Sequence, residues 1–239
     1  MADTARRKTP LWLETILLLV IAVVLALLIK TLFVQAFYIP SSSMRPGLVV
    51  DDRILVQKMS YWFGGEPQRG DVVVFEDPGD WLQGTPAGPT NTLTRGMSAI
   101  GLYPSGGHLV KRVIGVPGDV IECCDEEGRL IVNGEPLDED AFLARNRECD
   151  GPMVDRCQGT WTVGPVPEGE LFVMGDNRAA SADSSQRLRC TDEDTPCDAT
   201  DAYVPEDLVV GRVFSVIWPL RHLDWLSRPD VFEDVPDAG

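Results

Sequence analysis

Three consecutive serines stand in Ile39-Pro40-Ser41-Ser42-Ser43-Met44-Arg45-Pro46-Gly47-Leu48. A serine hydroxyl attacks a carbonyl only when a base within hydrogen-bond reach takes its proton. Two residues offer that base. His108 is the choice by chemistry, because an imidazole titrates near neutral pH. Lys111 is the choice by context, because it sits in the apolar run Leu109-Val110-Lys111-Arg112-Val113-Ile114. Burial there would disfavour the ammonium and leave an amine able to accept a proton. A third segment, Met174-Gly175-Asp176-Asn177-Arg178-Ala179-Ala180-Ser181-Ala182-Asp183-Ser184, carries the hydroxyls and carboxylates that orient a base. Taken singly, each has a plainer reading: a serine turn, a lysine pointing outward from a strand, a polar loop. Metal chemistry has little to work with. The only histidines are His108 and His222, and the six cysteines form no CxxC pair, so neither a metal nor a cofactor is expected.

The elements that must hold these residues are short and β-branched. Strand signals fall at 53–56, 71–75, 109–114, 120–121, 130–132, 171–174 and 208–217. Asn133-Gly134 after the fifth is a hairpin turn signal. No segment beyond residue 33 keeps a 3.6-residue period for long enough to make a helix, so the domain over 38–228 reads as mainly β and antiparallel. Two stretches interrupt it, at about 78–107 and 124–170. The first is too rich in Gly, Pro, Ser and Thr, and too long, for a passive turn. The tail 229–239, acidic and with two prolines, is expected to be disordered.

Residues 11–33 carry only Glu14 and Lys30 as charges. As a helix rising 1.5 Å per residue they reach about 35 Å, enough for a hydrocarbon core of about 30 Å. Arg6-Arg7-Lys8 precede the segment. The positive-inside tendency therefore keeps 1–10 cytoplasmic and exports the chain beyond the helix, giving a single-pass protein of the plasma membrane. A cleaved signal peptide is the competing reading, with Val34-Gln35-Ala36 imitating a cleavage site, but the apolar region is too long for one. Net charge is −16 overall and, with 1–30 at +2, −18 beyond residue 30. Such a surface repels phosphate backbones, which argues against nucleic acid as a partner. All six cysteines lie beyond the apolar segment, as expected in an oxidising compartment. Cys149–Cys157 and Cys190–Cys197 are the expected disulfides, each closing a short loop with Gly or Pro. Adjacent Cys123 and Cys124 are not expected to bridge each other.

Taken together, the motifs resemble those of bacterial type I signal peptidases. The matching stretches are Pro40-Ser41-x-Ser43-Met44-x-Pro46, Arg69-Gly70-Asp71-Val72-Val73-Val74-Phe75, 110–119, Gly175-Asp176-Asn177-Arg178-x-x-Ser181-x-Asp183-Ser184 and 204–212. The resemblance implies a signal-peptidase-like β-sheet fold and a serine endopeptidase that removes signal peptides from exported preproteins after small-x-small sequences. It further implies Ser43 as nucleophile, Lys111 as general base, and an oxyanion hole made by the Ser43 N–H and the Ser41 hydroxyl. Ser181 would hydrogen-bond the Lys111 amine, within a polar frame of Asp176, Arg178, Asp183 and Arg112. Ile39, Pro40, Leu48, Leu109 and Val110 match positions near the family's substrate pockets. Ser185 departs from the pattern, which often has Arg there; Arg187 is the candidate to replace it. The partners implied are signal peptides and membrane lipid, with the chain working as a monomer. The alternative is an inactive membrane-anchored β module that binds exported peptides.

Overall fold

A computed structural model describes residues 10–61, 64–79, 81–82, 107–144, 161–191 and 196–238, with the side chains of 26–32 excepted. Helix α1 (Leu11–Phe33) feeds directly into strand β1 (Val34–Tyr38). Among the described residues, no helix is long and apolar enough to cross a membrane.

The larger sheet contains β1, β2 (Arg53–Gln57), β3 (Val72–Glu76), β4 (His108–Gly115), β9 (Glu170–Met174), β10 (Val204–Pro205), β11 (Val209–Trp218) and β12 (Asp224–Trp225). Its order is β1-β2-β11-β3-β4-β9-β10, with β12 added on β11, and each pairing is antiparallel. The smaller sheet is β7-β6-β5-β8, built from β5 (Ile121–Cys123), β6 (Leu130–Val132), β7 (Glu135–Pro136) and β8 (Trp161–Val163). The β6–β7 hairpin turns at Asn133-Gly134, both at positive φ, as a two-residue hairpin loop requires.

Strand β3 is buried along Val72–Phe75 on both faces, which is why its sequence is continuously apolar rather than alternating. Two apolar clusters sandwich it. Val72 and Val74 pack with Ile39, Met44, Leu48 and Ile54. Val73 and Phe75 pack with Trp81, Leu109, Val113 and Val173. A third cluster fastens the smaller sheet to β9 through Ile121, Leu130, Val132, Phe172 and Met174.

The tail corrects the expectation of disorder. Phe232 and Val235 are buried in the third cluster, and Asn133 donates to the Pro236 carbonyl at 2.9 Å. Its acidic residues face water while two apolar side chains reach the core. The cysteines are also partly corrected. Cys190–Cys197 is bridged as expected. Cys123 and Cys124 are bridged to each other, their Cα atoms 3.0 Å apart across a cis peptide bond, a geometry the expectation had not allowed for. Cys149 and Cys157 lie outside the described residues, as do most of 78–107 and part of 124–170.

Candidate active site

Ser43 sits in the loop between β1 and β2, and the loop is pinned at both ends. Ile39 N–H donates to the Asp52 carbonyl at 2.9 Å, Asp51 N–H donates to the Ile39 carbonyl at 3.0 Å, and the Asp52 carboxylate accepts from Val49 N–H at 2.8 Å. Met44 and Leu48 are four residues apart, joined by a Leu48 N–H to Met44 carbonyl bond of 2.9 Å, and both are buried in the first cluster. Those two anchors hold Ser43 against the sheet.

Lys111 comes from the middle of β4, where it pairs with Val73. Its Nζ donates to Ser43 Oγ at 2.9 Å, with only 4% of Lys111 and 7% of Ser43 exposed. Burial pulls the Lys111 amine below the ordinary lysine range, while the charges of Asp183 and Asp176 oppose that shift. An amine that desolvation makes easier to deprotonate, within reach of a hydroxyl, has the chemistry to take that hydroxyl's proton. Ser41 Oγ lies 3.2 Å from Ser43 Oγ. Among the described residues, the Ser43 N–H enters no hydrogen bond, so it is free to meet an oxyanion. His108 stands at the start of β4 with its ring 5.2 Å from Phe37, apart from the Ser43–Lys111 pair.

The turn after β9 completes the site. Asn177 N–H donates to the Ser43 carbonyl at 2.9 Å, and the Asn177 side chain donates to the Ser42 carbonyl at 3.0 Å. Gly175 is placed where any Cβ would lie 2.3 Å from Ser181 Oγ and 2.5 Å from the Ser43 carbonyl oxygen. Only glycine lets the backbone approach this closely. Arg112 donates to both oxygens of Asp176 at 2.8 and 2.7 Å and to the Gly70 carbonyl at 2.8 Å. Arg178 donates to the Gly175 carbonyl at 3.1 Å and to both oxygens of buried Glu139 at 3.1 and 2.5 Å.

Two expectations about this frame change. Ser181 was expected to bond the Lys111 amine, but its hydroxyl donates to Asp183 at 2.5 Å instead. Asp183 in turn is held by Ser185, through its amide at 3.1 Å and its hydroxyl at 2.7 Å, while the Arg187 guanidinium lies over the Trp81 ring at 4.7 Å. Among the expected pocket residues, Ile39 and Leu48 are buried in the first cluster with Val110 packed against it, and Pro40 is exposed. Leu109 joins the other cluster, with Val73 and Phe75.

The sequence reading passed over Glu139, Asn177 and Phe142. Phe142 lies beneath the Arg112 guanidinium, 4.3 Å from ring centroid to Cζ. Asn177 had a signal, its place inside the Gly-Asp-Asn-Arg motif. Glu139 and Phe142 had none, because their partners lie 39 and 30 residues away in the chain.

An antiparallel β domain that presses a buried amine against a serine hydroxyl is the architecture of a serine peptidase. The family described as signal peptidase, peptidase S26 matches residues 12–218. Signal peptidase I of Mycobacterium tuberculosis (strain CDC 1551 / Oshkosh) is 39% identical over 221 residues, covering 86% of this chain and 72% of that protein. Signal peptidase I of Leptolyngbya laminosa is 32% identical over 95% of this chain and 90% of its own length. Signal peptidase I T of Bacillus subtilis (strain 168) is 33% identical over 92% of each. The chain belongs to the signal peptidase S26 family and is a serine endopeptidase.

Proposed function

We propose that this chain cleaves signal peptides from exported preproteins by acyl-enzyme chemistry, with Ser43 as nucleophile and Lys111 as general base. The 2.9 Å contact between Lys111 Nζ and Ser43 Oγ, inside a site nearly closed to water, carries the reading. Neutral Lys111 takes the hydroxyl proton as Ser43 attacks the scissile carbonyl. The Ser43 N–H and the Ser41 hydroxyl stabilise the oxyanion. The resulting ammonium gives its proton to the leaving amine, and the amine then activates the water that releases the acyl group. An extended substrate lies as a strand beside the domain, its main chain supplying hydrogen bonds. Ile39, Pro40, Leu48 and Val110 border shallow pockets that favour small side chains at alternate positions, and Leu109 contributes from the neighbouring cluster.

The same reading puts the enzyme at the membrane as a single chain. Helix α1 spans Leu11–Phe33 and runs into β1 without a linker, so the domain sits at the end of the helix. The basic residues before it and the bridged cysteines after it agree with an exported domain.

Lys111→Ala is expected to abolish processing of a preprotein while the protein still unfolds cooperatively, and His108→Ala to retain most turnover. Labelling of Ser43 by an acylating serine inhibitor separates the enzyme from an inactive peptide-binding module. Turnover kept in Lys111→Ala and lost in His108→Ala would move the base to the histidine.

A further inference from the structure

Asp183 accepts from the Gly175 amide at 2.9 Å, and Gly175 packs directly against the backbone of Ser43, whose hydroxyl meets the Lys111 amine. Two carboxylates, Asp183 and Asp176, thus act on that amine, and they are not equivalent. Asp176 is neutralised where it stands, by the two-pronged bond from Arg112. Asp183 is only 1% exposed, and its hydrogen-bond donors are all neutral. The Gly175 amide and the Ser181 hydroxyl donate to its Oδ2 at 2.9 and 2.5 Å. The Ser185 amide and hydroxyl donate to its Oδ1 at 3.1 and 2.7 Å.

Among the described residues, no cation lies within ion-pair distance of Asp183. Arg178, on the same turn, is paired with Glu139, and the Arg187 guanidinium lies over Trp81. Among the described residues, the other groups that bear on the amine are the Ser43 hydroxyl from the β1–β2 loop and Asp176 from the turn after β9, which also favours the ammonium but is paired with Arg112 of β4. The net negative charge of Asp183 therefore acts on Lys111 in a water-poor site, where charges interact more strongly than in solution.

We propose that Asp183 is an electrostatic brake on the Lys111 base, and that Ser185 keeps the brake applied by offering a hydroxyl where a cation would release it. Both are positioning residues, acting through Lys111 rather than on the substrate. Asp183 favours the ammonium, which cannot accept the Ser43 proton, and so moves the working range of the enzyme toward higher pH. Burial of Lys111 acts in the opposite direction. This inference rests on the assignment of Lys111 as base.

The test is the pH dependence of kcat/KM for a soluble signal-peptide substrate, with thermal unfolding recorded for each variant. Ser185 is half-buried, which leaves room for a longer side chain to reach Asp183 from the solvent side. Ser185→Arg is expected to shift the acid limb down by about one pH unit, the size expected for a new neighbouring charge. Asp183→Asn should shift it in the same direction. Gln186→Arg adds the same charge on an exposed neighbour and should leave the limb in place.

Superimposable profiles for the wild type and Ser185→Arg would overturn the proposal, as would an equal shift in Gln186→Arg. If Asp183→Asn does not fold, Ser185→Arg decides alone. Turnover retained by Lys111→Ala is a different failure, since it removes the base assignment itself.

Discussion

At the scale of single residues, the site depends on close approach and on desolvation. Gly175→Ala would drive a methyl group to within 2.3 Å of Ser181 Oγ and 2.5 Å of the Ser43 carbonyl oxygen. Backbone and a buried side chain must then move, so we expect at least a hundredfold loss of turnover, roughly what an ångström of misplacement costs. A smaller loss of stability should accompany it. Steady-state kinetics alongside denaturant unfolding separates the two effects. Desolvation fixes the sign of the pH response. The Lys111 amine is easier to deprotonate than an exposed lysine, so the rate should rise with pH and level off well below the unperturbed value of about 10.4. A rate still climbing at pH 10 would contradict a buried base. Stability has the same sign: between the depressed folded value and about 10.4 the unfolded chain binds more protons, so stability rises with pH there. Ser43 and Lys111 were legible in the sequence because their motifs are local. The partner of Ser181 was not, since its hydroxyl donates to Asp183 and only three-dimensional packing decides that choice.

Elements explain why the insertion and the tail matter to a site they do not line. The segment after β7 supplies Glu139 to Arg178, Phe142 to Arg112, a Leu143 bridge to Pro46, and the Ala144 N–H to the Asp176 carbonyl at 3.0 Å. It thus ties the Ser43 loop to the turn after β9. The tail braces this segment, with the Phe232 ring stacked 6.0 Å from Phe142. Phe232→Ala should cost about 3–5 kcal/mol, the range for emptying a buried aromatic site. The denaturation midpoint should fall with little change in slope, and an unchanged midpoint would show that the tail contributes nothing. The strands were readable from β-branched runs and from the Asn133-Gly134 turn. The tail was misread because its acidic residues and prolines dominate its composition, while the order comes from two apolar side chains docking onto a distant cluster.

At the scale of the whole molecule, an acidic domain is joined to an apolar helix, and the two make opposite demands at a lipid surface. The domain carries an exposed apolar tip: Trp218, Leu220, Leu223 and Trp225 are each more than half exposed, Trp225 at 73%. They belong to the β11–β12 hairpin, where Trp218 pairs with Arg53 and Arg53 with Tyr38, so the tip lies at the end of β1 away from α1. If α1 only concentrates the enzyme at the membrane, a chain starting at Val34, which keeps β1, should still cleave a soluble signal-peptide substrate at close to the full-length rate. It should be slower on membrane-embedded preproteins, because tethering raises local concentration without adding contacts. That shortened chain should keep weak affinity for vesicles, since indole rings favour the headgroup level. Its acidic surface is repelled by anionic lipid, and salt screens that repulsion, so binding to anionic vesicles should strengthen as salt increases. Flotation with anionic and with neutral vesicles across a salt series reads both effects, and Trp225→Ala should weaken binding to each. Absence of binding at every salt concentration would leave the exposed tip without a lipid role.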